Sequence, residues 1–275
     1  MEVSRDCYKD GIGYLIGGCM MDINEILKLA SLAGQIILEN GGETYRTEDT
    51  IVRMLENKVD KVETFVTPTG IFVSVEQDGK IYTKIIRILK RSTDLNKVAL
   101  VNAFSRRFSQ EELAELDIKQ YTDELLAIKE MDGYKRYITI FGAGIAAAGS
   151  VMLFGGSPGD FISTFIIAMA IQVCIGFFQK LELPNFIVNC FGGALATIFS
   201  ILFSQTGLGS LDMLIVGSVM ILVPGVPITN SIRDVISGDL VSGTSRGVDA
   251  LISAAGIAIG VGVFLNIWYI AGGLG

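Results

Sequence analysis

The chain has 275 residues, half of them hydrophobic and only 19% charged, with a mean hydropathy of +0.51. That is too apolar for an ordinary soluble domain of this length and points to membrane segments. The absence of histidine excludes His-based acid–base and triad chemistry and His-ligated metals; the four cysteines share no CxxC spacing, and a net charge of −7 gives no reason to expect nucleic acid as a partner.

Residues 1–21 read as a tail outside the fold. Ile16-Gly17-Gly18-Cys19 faintly resembles a lipoprotein cleavage box. Against that, Glu2, Asp6 and Asp10 offset Arg5 and Lys9, and the apolar run 12–16 is too short for a signal peptide's hydrophobic region. Met20 and Met21 directly precede the first helix, so Met1, Met20 and Met21 all stand as starts.

Residues 22–136 read as a cytoplasmic α+β domain. Apolar residues Ile23, Ile26, Leu27, Ala30, Ala33, Ile37 and Leu38 recur at helical spacing, with Asp22 placed to cap the helix 22–40. Gly41-Gly42 ends it, because glycine accepts the left-handed cap conformation. A second helix is expected over 46–57 and a β-branched strand over Lys61–Thr67. Strands 71–76 and 80–88 flank Asp78-Gly79, a strong hairpin signal. A helix follows over 94–108, and Ser109-Gln110-Glu111-Glu112 reads as a capping box opening another over 110–131. The polar stretch 41–50 has two readings. One is a helix–helix turn with acidic residues at a helix start, which the macrodipole favours. The other is a functional cluster, Glu43, Arg46, Glu48 and Asp49, that contacts the membrane half or a cytosolic ligand.

Residues 137–275 read as a helical membrane domain. Their only basic residues are Lys180, Arg233 and Arg246, and their acidic ones are Asp160, Glu182, Asp212, Asp234, Asp239 and Asp249. Five segments approach the roughly 20 residues a span needs: 137–156, 161–178, Asn185–Ser204, 211–229 and 248–270. The loops 156–160 and 205–210 contain no Lys or Arg, whereas Lys180, Arg233 and Arg246 fall on the side of the basic N-terminal half. The positive-inside rule then makes that half cytoplasmic and leaves the C-terminus outside. Gly256 and Gly260 in the fifth span, and Gly144 with Ala148 in the first, mark close helix packing. Bulky substitution of Gly256 or Gly260 is therefore expected to weaken assembly. Gln172, Asn189 and Asn266 lie within spans and suit interhelical hydrogen bonds or solute contact; Trp268 and Tyr269 suit an interface belt. Cys174 and Cys190 suit small packing positions.

The fourth span carries the densest motif. Pro224 and Pro227 remove two backbone donors around Gly225. Broken backbone at membrane depth is tolerated only inside protein or beside a water-filled cavity, and such breaks form solute sites in many transporters. Asn230, Arg233, Asp234 and Ser237 follow at helical spacing, so several can share one face, and Asp239 completes the candidate pathway residues. Donors from Asn230 and Arg233 and an acceptor or proton carrier in Asp234 suit a zwitterionic solute. The competing reading ends the span at Pro224 and leaves the rest as a cytoplasmic loop.

Gly42-Glu43-Thr44-Tyr45-Arg46-Thr47-Glu48-Asp49-Thr50, Pro68-Thr69-Gly70-Ile71 and Pro224-Gly225-Val226-Pro227-Ile228-Thr229-Asn230-Ser231-Ile232-Arg233-Asp234 together resemble the threonine/serine exporter family, in particular its N-terminal, frequently separately encoded half. The resemblance covers about residues 22–270. It implies export of threonine and serine driven by the proton-motive force, without cofactor, metal or catalytic residue. Related two-component systems imply a dicarboxylate, succinate, instead. Single-chain members carry about ten spans, so five imply a second multi-span subunit or a homo-oligomer in the plasma membrane. An odd span count would invert a following half, and inverted repeats place their site at the repeat interface. Two other classes stand beside export: a membrane-anchored enzyme using carboxylates such as Glu43, Glu48 or Asp49, and a regulatory subunit.

Overall fold

A computed structural model describes residues 14–16, 19–111, 117–181 and 183–272. The chain is mostly helical and divides into two compact units. The first runs to Asp132 and also takes in Thr229–Arg246; the second comprises Gly133–Ile228 and the residues from Gly247 onward.

In the first unit, β1 (Tyr14–Ile16) pairs antiparallel with β2 (Cys19–Met21); the rest of the expected tail lies outside the described residues. Helix α1 (Ile23–Glu39) starts where the Asp22 side chain accepts the Asn24 N–H at 2.8 Å. It stops at Asn40, beyond which Gly41 turns left-handed (φ +88°) and the Gly42 N–H returns to the Ile37 carbonyl. Gly42 has no alternative, since a Cβ there would lie 2.3 Å from Ile37 Cγ2 and 2.9 Å from its carbonyl oxygen. Helix α2 (Thr44–Leu55) begins two residues earlier than its apolar pattern predicts, with Glu43 at the extended cap position.

Strands β3 (Lys61–Thr67), β4 (Gly70–Gln77) and β5 (Lys80–Arg87) form an antiparallel meander in that order. The register runs Lys61↔Glu76 across the first pair and Gln77↔Lys80 across the second. Asp78 and Gly79 both have positive φ, as a two-residue hairpin turn requires. Ile71, Val73 and Val75 face inward and share one core with α1, with Ile51, Met54 and Leu55 of α2, and with Phe104 and Phe108 of α3 (Leu95–Gln110). The expected capping box at Ser109 does not form. Helix α3 runs through it, and the Ser109 hydroxyl donates to the Arg106 carbonyl. Asp117 opens α4 (Ile118–Glu130) instead, accepting from Lys119 and Gln120 N–H; residues 112–116 of the expected helix lie outside those described.

The second unit is helical: α5 (Arg136–Leu153), α6 (Pro158–Phe178), a 3₁₀ turn (Gln179–Leu181), α7 (Asn185–Ser204), α8 (Leu211–Val219), the start of α9 (Gly225–Ile236) and most of α10 (Leu240–Ile270). Among the described residues, four helices are long and apolar enough to cross a membrane: α5, α6, α7 and α10. Where the sequence predicts a fourth span of five, α8 stops at Val219, before either proline. Pro224 precedes α9, and Pro227 sits in its first turn, where a missing N–H leaves no helical bond unmade. The prolines thus start the second helix; they do not end the first. Gly256 and Gly260 bring α10 onto α7 of the same chain: a Cβ on Gly260 would lie 2.1 Å from the Cys190 carbonyl oxygen. Their close packing is therefore intramolecular. Outward-facing apolar residues such as Leu153, Leu251 and Ile270 give these helices the surface expected toward lipid.

Candidate functional site

Two motifs far apart in sequence meet inside the first unit. The turn from α1 to α2 presents the carbonyls of Gly41 and Gly42, followed by the Glu43 carboxylate. The segment 229–246, from α9 and the first turns of α10, supplies the groups that meet them. Asn230 Nδ2 donates to the Gly41 carbonyl at 2.8 Å, and Arg246 Nη2 donates to the Gly42 carbonyl at 2.9 Å. Glu43 accepts Arg46 Nε at 2.7 Å and also Nη1 of Arg233. Asn230 and Asp234 lie one turn apart and point to the same side, both buried, while Ile232 and Ile236 are exposed. Arg233 keeps nearly half of its side chain exposed. The Ser231 hydroxyl donates to the Gly243 carbonyl at 2.6 Å and fastens α9 to α10.

Asp234 is the centre of this network. It is fully buried, and Arg246 Nε lies 3.1 Å from its Oδ2, an ion-pair distance without hydrogen-bond alignment. Burial raises the Asp234 pKa above the ordinary 3.8. Arg246 and the neighbouring Thr44 hydroxyl and backbone N–H oppose that rise without cancelling it, and Asp239 adds to it. Glu48 behaves alike: burial raises it, the 2.8 Å hydrogen bond from the Val66 N–H lowers it, and the charges of Asp239 and Asp234 add to the rise. Glu43 shifts the other way. Burial would raise its pKa, but the Arg46 hydrogen bond and charge, a backbone N–H and Arg233 outweigh this and hold it below the usual carboxylate value. One small volume thus holds a carboxylate biased toward ionisation beside two biased toward protonation.

Of the residues singled out in the sequence, Glu43, Arg46, Asn230, Arg233 and Asp234 are joined directly, and Glu48 and Asp239 are linked to Asp234 through their charges. Asp239 also caps α10, accepting the Ser242 N–H at 3.1 Å. Asp49 is not part of the network; it is exposed and pairs with Arg53 along α2. Pro224, Gly225 and Pro227 belong to the second unit. Arg246 is the residue that sequence reasoning missed, having been read only as a loop charge. Its signal was a lone arginine adjoining an apolar run, which needs a partner. Among the described residues no cluster of His, Cys, Asp and Glu is arranged to hold a metal.

Four helices of membrane length mark a membrane-embedded protein. The chain belongs to the threonine/serine exporter family: the family model described as "Putative threonine/serine exporter" matches residues 28–268. It is 25% identical to a threonine/serine exporter of Corynebacterium glutamicum over 252 residues, covering 88% of this chain and 51% of that protein. A probable threonine/serine exporter of Mycobacterium tuberculosis is 22% identical, with 88% and 46% covered. The chain thus spans about half the length of these two relatives. A probable succinate transporter subunit of Escherichia coli, YjjP, is 23% identical over 253 residues, with 90% of this chain and 96% of that protein covered. No solved structure matches the chain.

Proposed function

We propose that the chain is one subunit of a secondary transporter that exports small amino acids, threonine and serine, across the plasma membrane at the expense of the proton-motive force. The observation that carries this reading is the buried network in which the Gly42–Arg46 motif and the Asn230–Asp234 motif of an exporter-family chain meet around Asp234. A buried carboxylate with a raised pKa, held beside an arginine, can exchange a proton while its neighbours rearrange. In this reading the first unit is cytoplasmic and the C-terminus outside, which requires the broken segment 211–229 to return the chain across the membrane beside the four long helices; Lys180, Arg233 and Arg246 against basic-free loops at 156–160 and 205–210 support it. A second membrane subunit or a second copy completes the pathway, supported by the half-length match to the exporters.

One observation favours a second reading, export of a small dicarboxylate such as succinate: YjjP, named a succinate transporter subunit, matches over nearly its whole length. The test is efflux of labelled threonine, serine and succinate from vesicles that contain the chain alone, a candidate second membrane subunit alone, or both. Threonine and serine efflux that needs both proteins and collapses with a protonophore is expected. Succinate efflux alone supports the second reading, and efflux indifferent to this chain overturns both.

A further inference from the structure

Helix α9 has two unlike faces. Asn230 and Asp234 are buried on one of them. On the opposite side Ile228, Ile232, Val235 and Ile236 fall within a stripe about 100° wide. All four are exposed among the described residues, Ile236 by 80%. The apolar surface continues onto the first turn of α10, where Leu240 and Val241 are also exposed. Apolar side chains gathered in this way mark a contact with lipid or with another protein.

Where α10 holds this face decides what covers it. Helix α9 is fastened to the first turns of α10. Gly238 turns left-handed between them (φ +92°), and the Asp239 N–H returns to the Asp234 carbonyl at 2.9 Å. The two backbones meet at Gly243, where a Cβ would lie 2.4 Å from Val235 Cγ2 and 2.9 Å from the Ser231 carbonyl oxygen. Helix α10 has 31 residues, about 46 Å of length at a rise of about 1.5 Å each. That is close to the ~40–45 Å of a bilayer with its headgroups. A helix of this length that crosses the membrane brings its first turn to the headgroup layer, and α9 with it. The exposed side of α10 also runs at helical spacing from Val241 through Val248 and Leu251 to Ile259, into the surface expected toward lipid. Its polar members, Thr244 and Ser245, lie near the start of the helix, at the level of the headgroups.

We propose that α9 is an interfacial helix, seated with Ile232, Val235 and Ile236 at the boundary between the headgroups and acyl chains of the bilayer. One helix then carries the Asp234 network on one face and lipid on the other. This rests on the membrane helices and not on which solute the protein moves. The test uses tryptophan as a depth probe. The chain has one tryptophan, so Trp268→Phe gives a silent background for Ile232→Trp or Ile236→Trp, with Leu251→Trp as a lipid-facing reference on α10. Each full chain is reconstituted in phospholipid brominated either just below the headgroup or at the chain end, and its fold is checked by thermal unfolding. Two positions on α9 are probed so that misfolding of one variant leaves the other to decide. Both should lose most emission to bromine below the headgroup, at least as much as Leu251→Trp loses to whichever lipid quenches it more, and aqueous iodide should quench them little. Quenching by iodide alone would put the face in water. Protection from both lipids and from iodide would put protein over it, a second copy or another chain. Either result overturns the proposal.

Discussion

Asp234 and Arg246 are a buried pair, and their burial decides what substitutions do. Removing Arg246 strands a carboxylate that is 0% exposed and releases the Gly42 carbonyl. Breaking such a pair costs about 3–5 kcal/mol, whereas replacing both partners with apolar groups is often near neutral. Arg246→Met should therefore lower the Tm strongly, and Asp234→Leu combined with Arg246→Met should recover much of the loss; additive losses in that cycle would contradict the pairing. Glu43 gives the pH dependence. Its folded pKa lies below the ordinary 4.5, so its contribution is fully present above that value and is lost as pH falls through the folded pKa. Glu48, raised above 4.5, has the opposite sign: it subtracts stability as pH climbs from 4.5 through its folded pKa. Unfolding midpoints measured across pH should thus show Glu43→Gln flattening the acid side, and Glu48→Gln removing the decline above it.

At the scale of elements, the sequence was most legible where local chemistry decided the outcome. Asp22, Asp78-Gly79 and the Gly41-Gly42 turn each act within a few residues, and each forms as its pattern predicts. Ser109 failed because the apolar contacts of Phe104 and Phe108 with the core carry α3 past a cap that local preference alone would have used. The break after α8 falls earlier than the prolines suggest, because proline is well tolerated in a first turn and here opens α9. Gly256 and Gly260 show the limit of a packing motif: it announces a close neighbour without naming which one. Gly260→Ala puts a methyl against the Cys190 carbonyl and the Ala194 N–H, both backbone, and should destabilise by about 1–3 kcal/mol. Gly262→Ala meets nothing within 4 Å and should be neutral or stabilising by up to about 1 kcal/mol. Thermal unfolding of the two variants in one detergent checks the contrast; equal destabilisation would contradict the packing of α10 on α7.

For the whole molecule, charge partition and span lengths divide the chain into a charged region, 22–136, and an apolar one, 137–275, which takes in the segment 229–246. In the structure it belongs to the first unit, because Asn230, Arg233, Asp234 and Arg246 find their partners at Gly41, Gly42 and Glu43. Nothing in the spacing of one sequence announces contacts that lie nearly two hundred residues apart, so the candidate residues were legible and their junction was not. We propose that this junction takes part in solute efflux and is more than a fastening of the fold. The most direct measurement is proton-driven efflux of labelled threonine by wild type, Arg233→Lys and Asp234→Asn across a pH series, with membrane insertion and assembly of each variant checked alongside. Arg233→Lys keeps the charge but loses the planar guanidinium whose Nη1 meets Glu43, and Asp234→Asn keeps the shape but cannot titrate. Both variants should insert and assemble, efflux should fall about tenfold or more in each, equivalent to ~1.4 kcal/mol, and Asp234→Asn should also lose its pH dependence. Near-normal, pH-dependent efflux by both variants would leave the junction a fastening of the fold alone.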